Sequence, residues 1–422
     1  MVTQIAGDMK KIGPLAKLSA HRAEYFVGLT ILFLTGLRVF LNPFPGVSAV
    51  KEICFYAPLI LFVFYCFRMR RVINLKTPLM LPFSLFTVWA LIGLFFALNK
   101  GNSFHDIYSH LIRYILIYLF ISVFFDTREK FLGLVWIVIL STAFFALGGL
   151  IYFYILTGHP LTERFTTPGF VPHREILYEF SLVLAMYCVT WEKSAWRKTA
   201  LALCIGALVS AILFTQTRSA LIAVFVSIII LFHKSKRLLF VMALLLAVIL
   251  VSTPIKDRLS DDTMRNNIRL DTGMIYVEMV RDNPLFGIGF GMQTYQDPKL
   301  MKKYVEGRER ASQILGSPHN WILEIAVRTG IIGLGLFSYI LFAFFKMYAK
   351  VRTSGDELSR GWGFCVLTAL IVFFIQGMFV DTQFGGQAVA LYTIFAMMTI
   401  LWRFSRAEAR TETEEKFRAA SA

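Results

Sequence analysis

The sequence predicts an all-α, polytopic integral membrane protein with about 12 transmembrane helices, and three observations carry that prediction. Apolar residues fill 57% of the 422 positions and charged residues only 17%, against about 45–50% and about 25% in soluble chains. Mean hydropathy is +0.63, and 41 residues are Phe. The apolar residues fall in successive runs near the roughly 20 residues a helix needs to cross a bilayer. In hydrocarbon each run must satisfy its own backbone hydrogen bonds, so each is read as a helix. A soluble enzyme, a disulfide scaffold and a disordered chain are excluded.

In chain order, residues 1–25 form a polar, basic leader. No small-x-small cleavage site follows the first apolar run, so that run is expected to be retained. The nine spans within 26–253 are expected at 26–42, 53–67, 78–98, 110–125, 131–156, 176–191, 199–214, 219–233 and 238–253. After a long loop at 254–320, three more are expected within 321–403, at 321–348, 361–380 and 386–403. The runs at 53–67, 110–125 and 219–233 are short for a crossing and are expected to extend at their ends. The 404–422 tail, with its TETEEK run, reads as a solvated helical end with i,i+4 ion pairs.

Charge sets the orientation. With the N-terminus inside, the inner segments carry Lys10, Lys11, Lys17 and Arg22, then Arg68, Arg70, Arg71 and Lys76, and so on alternately to the tail after Arg403. These segments hold more than half of the 43 basic residues, whereas the short outer connections carry only Lys51, Lys100, Arg164, Arg174 and Arg218. Both termini are therefore expected to be cytoplasmic. The net charge of +16 is then largely the topology signal plus affinity for anionic membrane lipids, and no nucleic-acid partner is expected. The five cysteines sit in or beside apolar runs without metal-knuckle or disulfide spacing, which reads as small buried hydrophobes.

The 254–320 loop is far longer than any other connection, and its basic and acidic residues nearly cancel. Loops of that length are usually functional or disordered. From Leu270 to Val280 the loop is amphipathic, with Leu270, Met274 and Val277 on one face and Asp271, Glu278 and Asp282 on another. A helix lying on the outer membrane surface is expected there, closed by Asn283-Pro284. The GIGFG run at 287–291 imitates half a dinucleotide fingerprint, but no strand precedes it and it reads as a turn.

Candidate chemistry gathers on the outer side. Arg218 lies in FTQTRSA, beside Gln216 and Thr217. It is either a fork for an anion such as phosphate or an interface anchor. Arg269 is expected just before the amphipathic helix, where a helix N-terminus adds to anion binding, although a loop Arg on headgroups would look the same. His319, in SPHNW with Asn320 beside it, stands at the mouth of span ten and has an imidazole suited to proton transfer. Arg113 and Glu179 are ionisable residues within spans, costly in lipid and so either functional or paired across helices. HNWILE lacks the second histidine of a zinc helix, His159 and His173 are too far apart to make a site, and no metal or cofactor is expected.

The ordered pieces TQTRSA, IRLDTGMIYVEMVRDNPLFGIGFG and SPHNWILEIAVRTGIIGLGLF, within roughly residues 205–345, resemble the O-antigen ligase and O-antigen polymerase superfamily. That resemblance implies a glycosyltransferase at the periplasmic face of the bacterial inner membrane, with 254–320 as its periplasmic loop. The implied donor is an undecaprenyl-diphosphate-linked glycan and the implied acceptor is lipid A–core oligosaccharide. It implies that Arg218 and Arg269 engage the diphosphate and that His319 is catalytic near the acceptor. Gln216, Thr217, Asn320, Arg113 and Arg164 are expected to support them. The chain departs from the family pattern at Asp271-Thr272-Gly273, where an aromatic often follows the arginine, and at Pro318, where some ligases carry another histidine. A polymerase or protein O-oligosaccharyltransferase shares the same motifs, and a lipid-linked sugar flippase is the reading from another class. The gathering of polar residues at one face favours an enzyme over a transporter.

Overall fold

The computed structural model describes residues 14–69, 76–166, 175–237, 240, 262–306, 316, 318–380 and 385–421, with no strand among them. The helices in order are α1 (Pro14–Phe40), α2 (Ser48–Met69), α3 (Met80–Gly93), α4 (Lys100–Phe124), α5 (Arg128–Leu156), α6 (Glu175–Trp191) and α7 (Ala195–Phe214). They continue as α8 (Arg218–Phe232), α9 (Asp262–Asp282), α10 (Pro298–Val305), α11 (Trp321–Val351), α12 (Glu357–Gly377) and α13 (Gly385–Ser421). Among the described residues, six helices are long and apolar enough to cross a membrane: α4, α5, α7, α11, α12 and Gly385–Ala409 of α13. Helices α3 and α8 are apolar but shorter. The chain is thus an all-helical, multi-pass membrane protein. Each expected span except the ninth coincides with a helix; that one, 238–253, lies outside the described residues apart from residue 240.

Helix α13 is the axis. From Gln387 to Leu401 every residue is buried, as expected of a helix apolar all round, and it packs against α4, α11 and α12. Its few polar groups bond to neighbours. Thr399 Oγ1 meets the Tyr118 hydroxyl at 3.1 Å, and that hydroxyl meets Thr77 Oγ1 at 2.7 Å. Arg403 donates to the Ser122 carbonyl. Such interhelical bonds are worth on average about 0.6 kcal/mol in a bilayer, so they fix register more than they hold the bundle together. The helix then continues unbroken through the expected tail to Ser421.

Several boundaries differ from the expectation for identifiable reasons. Helix α3 ends at Gly93 instead of running to residue 98, because the chain turns with tight bonds such as Leu94 N to Leu91 O (3.2 Å) and then spends Leu98 N on Ile288 O (3.0 Å). Helix α4 does extend outward, through a π segment at Ile107–Ile112. Helix α8 does not extend and keeps 15 residues. Helix α9 begins at Asp262, well before Leu270. Arg269 is therefore inside the helix and not at its N-terminus, and its side chain lies outside the described residues. Asp262-Thr263 already supplies a polar helix start, with Met264 and Ile268 continuing the apolar spacing.

The segment after residue 262 has a core of its own. Ile275, Tyr276 and Met279 of α9 pack with Ile288, Tyr295, Met301, Tyr304 and Val327. Met274 and Val277, on the face expected to lie on the membrane, are about half exposed, so α9 has one flank turned to the protein and a second apolar flank free of it. Lys303 of α10 bonds Asp282 at the end of α9 at 2.6 Å, and that ammonium holds the carboxyl below its usual range.

The segment docks where α11 breaks. Gly330 has φ +71° inside α11, and the backbone groups freed there find partners outside the helix. Ile288 N donates to Val327 O (2.8 Å), Ile331 N to Pro284 O (2.8 Å) and Trp89 Nε1 to Thr329 O (2.8 Å). Phe286 is stacked between Trp89 at 4.6 Å and Phe96 at 4.0 Å. Two glycines of GIGFG have positive φ, Gly287 at +69° and Gly289 at +110°. A Cβ on Gly287 would fall on the Val327 carbonyl oxygen. We therefore expect Gly287→Ala to lower stability by more than the about 1–3 kcal/mol of backbone strain alone. Limited proteolysis of the purified protein should cut within 262–305 faster than in wild type, and equal cleavage rates would refute the docking role.

Candidate functional site

Arg218 owes its place to a fastened turn. Helix α7 ends at Phe214 and α8 starts at Arg218, with Gln216 in the left-handed region at φ +51° between them. The 157–166 loop grips this turn. Phe165 N donates to Phe214 O (2.8 Å), Arg164 Nε to Thr215 O (2.7 Å) and Gln216 Nε2 to Thr162 O (3.1 Å). The N-cap residue Thr217 accepts from Arg164 Nη2 (3.0 Å) and donates to Glu175 Oε1 (2.9 Å) at the start of α6. Arg164 also pairs with Glu175 at 3.6 Å. Arg164, Gln216 and Thr217 thus hold the backbone, and Arg218 occupies the first turn of a helix whose dipole adds to its positive charge.

His319 sits just ahead of α11, half-buried and in the left-handed region at φ +47°. Asn320 is the N-cap, accepting from Ile322 N (3.0 Å) and Leu323 N (3.2 Å), a typical satisfaction of orphan helix donors. Its amide reaches Met378 Sδ at 3.9 Å, immediately past the end of α12. Asn320 therefore orients the chain at His319.

Helical register brings Arg218 to the same end. At the other end of the α8–α12 pair, the His233 and Phe364 rings are 6.0 Å apart. Arg218 is 15 residues back along α8 and Gly377 is 13 residues on along α12, rises of about 22 and about 20 Å. Arg218 is thus level with Gly377, and Met378 beside it is the residue Asn320 touches.

Beneath that end lie buried polar groups without partners. Neither carboxylate oxygen of Glu179, neither amide atom of Gln376 and not Glu175 Oε2 has a hydrogen-bond partner among the described residues. Glu179 is 1% exposed and Gln376 0%. Helices α6 and α12 are registered by Cys365 Sγ to Val183 O (3.8 Å) and by Tyr187 against Trp362 at 5.0 Å. That register puts Gln376 about 10 Å above Glu179 along the pair. Orphaned polar groups are rare in native structures and call for a partner. Unpartnered polar groups below a cationic helix start are suited to a ligand with hydroxyls below and phosphate above.

The structure sets Arg113 elsewhere. It donates to Glu52 Oε1 (2.7 Å) and the Tyr56 hydroxyl (3.2 Å) on α2, so of the two intramembrane ionisable candidates it is the paired one. His159 pairs with Glu163 (2.9 Å); His173 lies outside the described residues. Among the described residues no group of three or more His, Cys, Asp or Glu is arranged to hold a metal. Sequence reasoning passed over Arg328 and Glu324, a charged i,i+4 pair in the apolar run after HNW. Both are buried, with Nη1–Oε1 at 3.5 Å, and Arg328 Nε donates to Phe290 O at 2.9 Å. Their spacing was the available signal.

Residues 201–338 match the family model described as O-antigen ligase. Comparison with curated proteins returned no match. The matched stretch runs from α7 into α11 and takes in the Arg218 turn, α9, the GIGFG dock and His319. Over that stretch the chain is similar to the O-antigen ligase family, which supports the resemblance to ligase- and polymerase-type membrane enzymes.

Proposed function

We propose that this protein transfers a glycan from an undecaprenyl diphosphate carrier to lipid A–core oligosaccharide at the periplasmic face of the bacterial inner membrane. The observation that carries the reading is the convergence of Arg218, on a helix N-terminus, and the His319-Asn320 mouth of α11 at one end of α12. Both fall within the stretch that matches the O-antigen ligase family.

The chemistry follows from the residues. An acceptor hydroxyl attacks the anomeric carbon, the bond from that carbon to the diphosphate oxygen breaks, and the electron pair leaves with the lipid diphosphate. His319 takes the hydroxyl proton, a contribution of roughly 10²–10⁴-fold. Arg218 and Arg269 meet the charge growing on the leaving diphosphate, and donors so placed contribute about 2.7–4 kcal/mol each. The α8 dipole acts in the same sense. Diphosphate is a good leaving group, so the step proceeds without a divalent metal. Glu179 and Gln376 hold hydroxyls of the bound sugar, which gives their orphaned atoms partners. A deletion strain that loses all O-antigen from lipid A–core while lipid-linked polymer accumulates identifies a ligase. One repeat still attached to the core identifies a polymerase instead.

The orientation is tested with Lys299→Cys on the exposed start of α10. We expect labelling by a membrane-impermeant thiol reagent once the outer membrane is permeabilised; labelling only after inner-membrane lysis would reverse the topology.

For the site itself, Arg218→Lys keeps the charge but loses the planar fork. We expect transfer from a synthetic polyprenyl-diphosphate glycan to fall roughly 10²–10³-fold, and His319→Ala to fall within the range given above. Since the arginines serve one diphosphate, Arg218→Lys with Arg269→Lys should lose less than the product of the single losses. Near-normal rates for either single variant, or abolition of wild-type activity by chelator, would discard this mechanism.

Glu179 separates function from packing. An unsatisfied buried polar group costs about 1–3 kcal/mol, so Glu179→Leu should raise the thermal midpoint while depressing transfer. A variant that is more stable and fully active would remove Glu179 from the site.

A further inference from the structure

A second cluster of cations lies on a different set of helices. Arg38 stands in the last turn of α1, and Arg113 follows the π segment of α4. Arg113 binds Glu52 and Tyr56 as described and lies over the Phe55 ring at 5.1 Å, yet its Nε is buried with no partner among the described residues. Arg38 Nη1 is likewise buried and unpartnered there. The charged and polar groups that act on Arg38 are Tyr114, Arg113, Glu52 and Cys54, and the one carboxylate among them is held by Arg113 at 2.7 Å. Like charges held together in an apolar bundle repel, and an uncompensated buried cation is costly. The arrangement is electrostatically complete only with a further anion.

The surroundings specify which anion. Two guanidinium forks match tetrahedral phosphate oxygens better than a point charge does. The hydroxyls of Tyr56 and Tyr108, 3.0 Å apart, form a polar rim beside them. Next to that rim, Ile53, Ile60 and Phe104 are each more than 60% exposed, an apolar surface suited to acyl chains. We propose that Arg38 and Arg113 form an anion site, separate from the Arg218 site, that takes the phosphate of a membrane lipid. The site stands independently of the transfer reaction.

The test uses the full-length protein carrying Arg218→Gln, so that binding at the Arg218 site does not contribute. Native mass spectrometry titrates phosphatidic acid onto this protein, and inorganic phosphate serves as the soluble probe. Arg38→Gln and Arg113→Gln should each weaken phosphatidic acid binding at least roughly tenfold, the size of one lost charge-assisted hydrogen bond. Glu52→Gln should tighten it several-fold, because it frees the Arg113 fork and removes the competing negative charge. That gain cannot arise from misfolding, so it decides the matter if an arginine variant fails to fold. Unchanged affinity in Arg38→Gln, or unchanged or weaker affinity in Glu52→Gln, overturns the site. Equal affinity for inorganic phosphate and phosphatidic acid overturns the assignment to a lipid.

Discussion

The broken backbone of α11 is the constraint on which the 262–305 segment and its dock depend. A helix crossing hydrocarbon tolerates a break only where other protein groups satisfy the freed N–H and C=O. At Gly330 those partners are Ile288, Pro284 and Trp89. The segment is therefore not appended to a finished bundle, because it completes the hydrogen bonding of a helix long and apolar enough to span. Glycine is required on both sides of the contact. A Cβ at Gly330 would meet the Leu285 carbonyl oxygen, as one at Gly287 would meet that of Val327.

The same break positions the chemistry. The stretch from Trp321 to Thr329 is clamped from one side by α9 and from another by the GIGFG turn. Arg328 fastens that clamp, with its guanidinium over the Phe290 ring at 3.8 Å and paired with Glu324. Removing one partner of such a buried pair leaves an uncompensated charge and costs about 3–5 kcal/mol. His319 stands two residues ahead of this segment, so its placement is inherited from the dock. Arg218 is positioned by an unrelated device, the 157–166 loop and Glu175. The two are level because α8 and α11 both begin beside the C-terminal end of α12.

How much of this the sequence disclosed depends on the range of the interaction. Hydropathy located the helices because lipid demands long apolar runs, and Asn320 was legible as part of a helix mouth because a cap is local. Helix α9 was found but started too late, since its apolar spacing was traced only from Leu270 when it continues upstream. Its protein-facing flank went unrecognised because Ile275, Tyr276 and Met279 are covered by residues from 288 to 327, a tertiary fact absent from the local pattern. GIGFG read correctly as a turn, but its close approach to Val327 joins residues 40 positions apart and leaves no local trace. Arg113 and Glu179 drew equal suspicion in sequence. Only the structure distinguishes them, by giving one Glu52 and leaving the other unpaired.

That distinction extends to the arginines as a class. Arg164 is neutralised by Glu175, Arg328 by Glu324 and Arg113 by Glu52, and each pair ties an arginine to a helix or loop whose geometry it sets. Ion pairs are a weak source of net stability whether exposed or buried, and these three instead stand at loop, break and π segment, where backbone geometry departs from the regular helix. Part of the positive charge is therefore fixed in pairs that shape turns. Glu179 and Gln376 belong to neither group. They are buried with no partner among the described residues, Gln376 at the end of α12 beside which α8 and α11 begin and Glu179 about 10 Å beneath it, and their cost to the fold is what the proposed sugar-binding role accounts for.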